Sequence, residues 1–129
     1  MRNYKEYTIF DEKAATGAGN VINVKDWRHI IVSIATSDSA NLTVKAVGSL
    51  EETAPTFASA QSVTNMYDFI ELVDYQSGSL ITGDTGIVFS GTDDYRLVEL
   101  NTNGLEWMTF RVTAYAAGKL TIKVVGYQN

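Results

Sequence analysis

"WMTFRVTAYAAGKLTIKVVGY", Trp107–Tyr127, is the stretch whose reading decides the fold. Phe110, Val112 and Ala114 share one parity with Leu120, Ile122 and Val124, while Arg111, Thr113, Thr121 and Lys123 fall between them. A period of two is the mark of a half-buried strand. The second part, "LTIKVVG" at Leu120–Gly126, is written earlier as "LTVKAVG" at Leu42–Gly48, with five of seven residues identical. Both copies follow a β-branched run that begins with Trp, "WRHIIVSIAT" from Trp27 and "WMTFRVTAY" from Trp107. The repeated unit is therefore larger than one strand.

Read locally, each unit is a hairpin. Ala116-Ala117-Gly118 makes a three-residue loop with glycine at the left-handed position such loops favour. That register sets Ala114 against Leu120, Val112 against Ile122 and Phe110 against Val124; a slip of one residue would turn the whole apolar set to water. The earlier hairpin would turn at "TSDSA", with Ile34 opposite Leu42 and Val32 opposite Val44.

Alternation and turn chemistry mark further strands at Tyr4–Phe10, Asn20–Val24, Asp68–Val73, Ser79–Ile81, Ile87–Ser90 and Arg96–Asn101. Between them lie "TGAGN", "QSG", "TGDTG", "SGTDD" and "NTNG". No window has a helical period. The expectation is an all-β chain: a single β-sandwich, jelly-roll-like, of about 8–10 antiparallel strands. The longest irregular segment, "EETAPTFASAQSVTNMY" (Glu51–Tyr67), reads as a crossover lying over the sandwich with Phe57 and Met66 as pegs, or as an uncharged contact loop.

Composition narrows the function. A chain of 129 residues has room for one core. It has no cysteine, which removes disulfides, thiolate zinc sites and Cys nucleophiles. No apolar run reaches the ~20 residues of a membrane-spanning helix, and the N-terminus lacks the apolar block of a secretory signal, so synthesis in a cytoplasm is expected. Net charge is −5, and from Ala46 to Tyr95 there are eight acids without a Lys or Arg. Nucleic-acid binding needs clustered cations, so that class is disfavoured.

Chemistry is hard to place. The one histidine, His29 in "WRHIIV", has no acid partner implied by spacing and reads as a surface residue. No nucleophile elbow, zinc motif, Walker loop or dinucleotide fingerprint occurs. Asp84, Asp93 and Asp94 stand in neighbouring turns and suit calcium, but they equally suit turns that cap themselves. The chain does not read as an enzyme and implies no cofactor. The hairpin register does make a surface: Arg111 beside Lys123 and Trp107 beside Tyr127, all outward, with Val47 and Val125 adding apolar area. Aromatic residues with cations are typical of protein interfaces, so Trp107, Arg111, Lys123 and Tyr127 are the candidate docking residues, for a partner or another copy that brings carboxylates.

From Val47 to Val124 the chain, with "PTF", "TNMYD", "GDTGI", "DDYRL", "NTNGLEW" and "TAYAAGKLTIK", resembles small virion proteins of tailed bacteriophages, in particular β-sandwich head-decoration or cement proteins. The resemblance implies a non-enzymatic protein on the capsid exterior, made in a bacterial cytoplasm. Its partners would be the capsid protein and copies of itself, as a dimer or trimer. It also implies that residues 1–19 form an N-terminal strand or arm reaching a partner, hinged at "KAATGAG", ahead of a β-sandwich domain over 20–129. The rival reading is a carbohydrate-binding module on a phage fibre, with Trp107, Tyr115 and Tyr127 as the aromatic platform.

Overall fold

The computed structural model describes residues 3–101 and 104–128. These residues contain no helix and ten strands, all paired antiparallel in one hydrogen-bonded sheet. In chain order they are β1 (Tyr4–Lys13), β2 (Gly17–Ala18), β3 (Ile22–Asn23), β4 (His29–Ser49), β5 (Asp68–Ile70), β6 (Leu72–Asp74), β7 (Leu80–Ile81), β8 (Ile87–Ser90), β9 (Tyr95–Leu100) and β10 (Trp107–Tyr127). The sheet order is β1-β10-β4-β9-β6-β7; β2 and β3 also pair with β10, and β5 and β8 with β4.

The expected hairpins do not form. β4 and β10 each run on for 21 residues and pair with each other along their length. Val112 faces Val44 rather than Ile122, and Ile122 faces Ile34. Phe110 faces Ala46, Val124 faces Val32, Arg111 faces Lys45, Lys123 faces Ser33 and Tyr127 faces His29. The hairpin reading went wrong at Gly118. Its φ is +90, as a turn would want, but the chain bends there and continues. A Cβ on Gly118 would lie 2.3 Å from the Ala40 Cα, so glycine is needed because β4 passes against it. Asp38 and Ser39 on the β4 side also have positive φ, and the register slips between Val112 and Lys119. These bulges bend the ribbon at its middle.

The repeat now has a structural meaning. β4 maps onto β10 at an offset of 78 residues, from Leu42 to Leu120, and each copy pairs with the other about a centre near Ser39 and Ala117. The pairs Val44–Val112 and Ile34–Ile122 are equivalents under that relation. So are the hydrogen bonds that close the two ends, from Arg28 N to Tyr127 O and from Glu106 N to Ser49 O, each 2.9 Å. Both repeats end in glycine for one reason. A Cβ on Gly48 would meet Leu105 at 2.8 Å and one on Gly126 would meet Trp27 at 2.5 Å, and Trp27 and Leu105 are themselves 78 residues apart.

Parity along the ribbon survives the bend, so both halves feed one apolar cluster that includes Val32, Ile34, Val44, Phe110, Val112 and Ile122. The described part of the N-terminal segment is an edge strand of this same sheet. β1 runs along β10 from Tyr4–Tyr127 to Lys13–Leu120 and sends Ile9 and Phe10 into the core. Within "KAATGAG", Gly17 and Ala18 pair with Val112 and Arg111.

Gly118→Ala is expected to cost about 3 kcal/mol, from backbone strain plus the clash with Ala40. Gly78→Ala is the control, since Gly78 has a φ of +72 and open space around it; it should cost about 1 kcal/mol. Urea unfolding midpoints of the two variants measure the difference.

Candidate functional site

Because odd-numbered residues of β4 and β10 point away from the core, the ribbon has two outer faces, one on each side of the bend. Residue for residue they are equivalents. The two faces are treated differently by the rest of the chain.

One is covered by the segment 51–67, as the crossover reading of that loop anticipates. Phe57 is 2% exposed and packs with Val47 and Tyr67 in a second apolar cluster that half-buried Trp107, Phe69 and Ala18 adjoin. Met66, the other expected peg, is 52% exposed, and Tyr67 takes its place. Asn65 pins the loop by accepting from Thr56 N and donating to Thr56 O and Ala60 O. Trp107 Nε1 donates to Glu52 O at 3.3 Å. Arg111 Nη1 donates to the Tyr67 hydroxyl at 2.9 Å, and that hydroxyl donates onward to Ser59 O at 2.7 Å.

The expected quartet is thus divided. Trp107 and Arg111 lie on the covered face, engaged by the chain's own loop. Lys123 and Tyr127 lie on the other. Arg111 does stand beside a lysine on the neighbouring strand, but it is Lys45, whose Nζ sits 5.1 Å from the centre of the Phe69 ring. Among the described residues the ion pairs are His29–Glu99, Arg96–Asp74 and Lys119–Asp38, so neither Arg111 nor Lys45 belongs to one.

The other face is open. Ile31 and Val125 face each other there, and their equivalents on the covered face are Thr109 and Val47. Thr109 and Val47 are 0% exposed, whereas Ile31 and Val125 are only half-buried. Glu6 of β1 and Glu99 of β9 flank this pair in register, and around them stand Tyr4, Lys123, Tyr127 and, from the flanking strands, Leu97, Tyr95 and Tyr75. The rings of Tyr4 and Tyr127 are 6.0 Å apart. Burial, then the charges of Glu99 and Tyr127, push the Tyr75 phenol above its usual 10.0, consistent with these groups sharing one face. His29 Nδ1 is 3.4 Å from Glu99 Oε1, a partner that arrives from β9 and that spacing in sequence could not indicate.

At the margin of this face Tyr75, Gln76, Asp94, Tyr95 and Leu97 line a cleft of about 340 Å³ floored by Asp74 and Arg96. Tyr75 and Tyr95 are exposed, and residue alternation alone did not pick out either. A second cleft of about 440 Å³ opens where the covering loop joins the sheet, lined mainly by Leu50, Met66, Tyr67, Ile70 and Leu105, with Glu51 and Asp68 at its rim. The carbohydrate platform is not assembled: Trp107 is on the covered face, Tyr127 on the open one, and the Tyr115 hydroxyl is turned to Gly118 O at 2.9 Å.

Among the described residues no three His, Cys, Asp or Glu side chains converge on a metal-sized site. Asp94 accepts from Tyr95 N at 2.8 Å within its own turn, while Asp93 reaches across to accept from Ser39 N, also at 2.8 Å, at the bend of β4. Asp74 is the buried acid. Burial alone would raise its carboxyl, but the Ser77 hydroxyl, the Arg96 guanidinium at 3.2 Å and Gln76 N together hold it below the usual 3.8.

Since the folded carboxyl titrates below its unfolded value, its stabilisation is complete above pH 3.8 and is lost as pH falls through the lower folded value. Asp74→Asn is expected to cost about 2 kcal/mol at neutral pH. The gap from the parent should close under acid conditions, as read by urea unfolding at a series of pH values.

No protein-family model matches the sequence, and no curated protein matches it. Solved structures share the fold, among them the following two. The SPBc2 prophage-derived protein YomS superposes with a TM-score of 0.73 at 12% identity, over 98% of this chain and 95% of that one. The PBSX exported protein XepA does so with a TM-score of 0.68 at 16% identity, over 98% of this chain. This chain spans 38% of the XepA chain. At such identities the likeness is one of fold.

Proposed function

We propose that this chain is a structural protein of a bacteriophage particle that works by docking its open face, and that it sits on the capsid exterior as a decoration or cement protein. The carrying observation is the inequality of the two outer faces. The fold repeats the same strand surface twice; the chain buries one copy under Phe57 and Tyr67, and leaves the other, with Ile31 and Val125 between Glu6 and Glu99, uncovered. Tyr4, Tyr75, Tyr95 and Leu97 around it are 52%, 46%, 64% and 40% exposed. Tyrosine carries much of the energy of protein interfaces, and a grouped apolar surface of this kind marks a contact site. A fold shared nearly end to end with a prophage-derived protein supports the phage setting.

In this reading the partners are the capsid protein and further copies of the chain, as a dimer or trimer. The two halves of the bent ribbon close over their shared core as a jelly-roll-like sandwich, a rigid support for the docking face. Nothing in the proposed role requires catalysis or a cofactor.

The cleft between Tyr75 and Tyr95 favours one second reading, a carbohydrate-binding module of a phage fibre. Aromatic walls with Gln76 and Asp94 between them are the groups a sugar ring requires.

Co-sedimentation with purified phage heads and, separately, tails distinguishes the two, with a glycan array beside it. The docking reading predicts binding to heads, at least ten-fold weaker for a Tyr95→Ser, Leu97→Asp double variant. It also predicts a dimer or trimer by light scattering. Binding to tails alone, or to a glycan alone, would overturn the capsid assignment.

A further inference from the structure

Arg111 and Lys45 stand directly opposite each other across β10 and β4, on the covered face. Like charges in that relation are mildly destabilising, because opposed side chains are only about 5 Å apart at Cβ. The fold does not require the arrangement. The equivalent pair on the open face is Ser33 opposite Lys123, with serine where Arg111 stands. The same ribbon is therefore built once with a single cation and once with two.

The two cations are also held in place. Arg111 is half-buried and oriented by the Tyr67 hydroxyl, which is itself anchored on Ser59 O in a residue 8% exposed. The Lys45 stem passes Gly86, where a Cβ would meet its Cγ at 2.6 Å, and its ammonium rests over Phe69. Neither has a carboxylate partner among the described residues. A guanidinium whose orientation is fixed, on a residue paired across the sheet with a lysine, is a receptor for an oxyanion.

We infer that Arg111 and Lys45, with Tyr67 holding the guanidinium in place, form a binding site for a carboxylate side chain of a partner protein. Two cations suffice for one carboxylate. A nucleic-acid strand would need more, and the flanking chain from Ala46 to Tyr95 offers eight acids and no further cation, which repels a polyanion. The site is separate from the open face, so the two assignments stand or fall apart.

The test is an NMR titration of the full chain with a capped Glu-Asp-Glu peptide, following the Arg111 Nε–Hε signal and, in every variant, the backbone amides of positions 45, 67 and 111, with inorganic phosphate as a second arm. The peptide should give a saturable shift, weakened at least ten-fold by Lys45→Ser and by Arg111→Ser and unchanged by Lys123→Ser. Lys45→Ser should leave the thermal midpoint within about 2 °C of the parent, because it removes one of two repelling charges. No saturable shift, binding as tight as the parent's by either site variant, or tighter binding of phosphate than peptide would overturn the assignment. So would a large drop in the Lys45→Ser midpoint, which would make that cation structural.

Discussion

The pairing of β4 with β10 is the constraint on which everything else rests. Two 21-residue strands lie antiparallel, matched at both ends and bulged at the centre, and every other strand attaches to one edge of that ribbon or extends outward from it. The register decides which side chains share the core, and it decides which cations become neighbours. A bend that only Gly118 can accommodate against Ala40 brings the two halves onto one cluster. The repeat in the sequence is thus the record of a pseudo-two-fold ribbon, in which each copy completes the other, much as identical strands pair in a symmetric dimer.

Strand positions were legible because alternation survives in almost every element. Ile87–Ser90 is found as read, and Tyr4–Phe10 lengthens to Lys13. Parity was legible too: Arg111 and Lys123 do point away from Phe110, Val112 and Ile122. Partner choice was not. A hairpin and a through-running strand put the same residues on the same face, so Val112 satisfies its hydrophobic requirement equally against Ile122 or Val44. Gly118 fits both a tight turn and a close crossing, and only the position of Ala40, distant in sequence, separates the two. The neighbours of the candidate site were hidden for the same reason. Lys45, Tyr67 and Glu99 reach Arg111 and His29 through tertiary pairing alone.

The functional reading follows from symmetry broken by one loop. Where 51–67 lies, Val47 is sealed and Trp107 and Arg111 have partners within the chain, while Thr109 is bonded to Asn20 O. Where no such loop lies, Ile31, Val125 and a group of tyrosines are left at the surface. A monomer gains nothing from leaving Ile31, Val125 and these tyrosines at the surface, but a protein that docks gains contact area. The buried acid Asp74, tied to Arg96 and Ser77, holds the margin of that face rigid.

Because the chain has no cysteine, disulfide trapping reads the ribbon register directly. Position 123 is paired with 33 in the ribbon but with 111 in the local hairpin, and all three side chains point away from the core. The ribbon predicts that a Ser33→Cys, Lys123→Cys double variant cross-links under mild oxidation while Arg111→Cys, Lys123→Cys stays reduced. Cross-linking of 111 to 123 within one chain, with 33 unreactive, would contradict the register and with it both the two equivalent faces and the site built on Arg111 and Lys45.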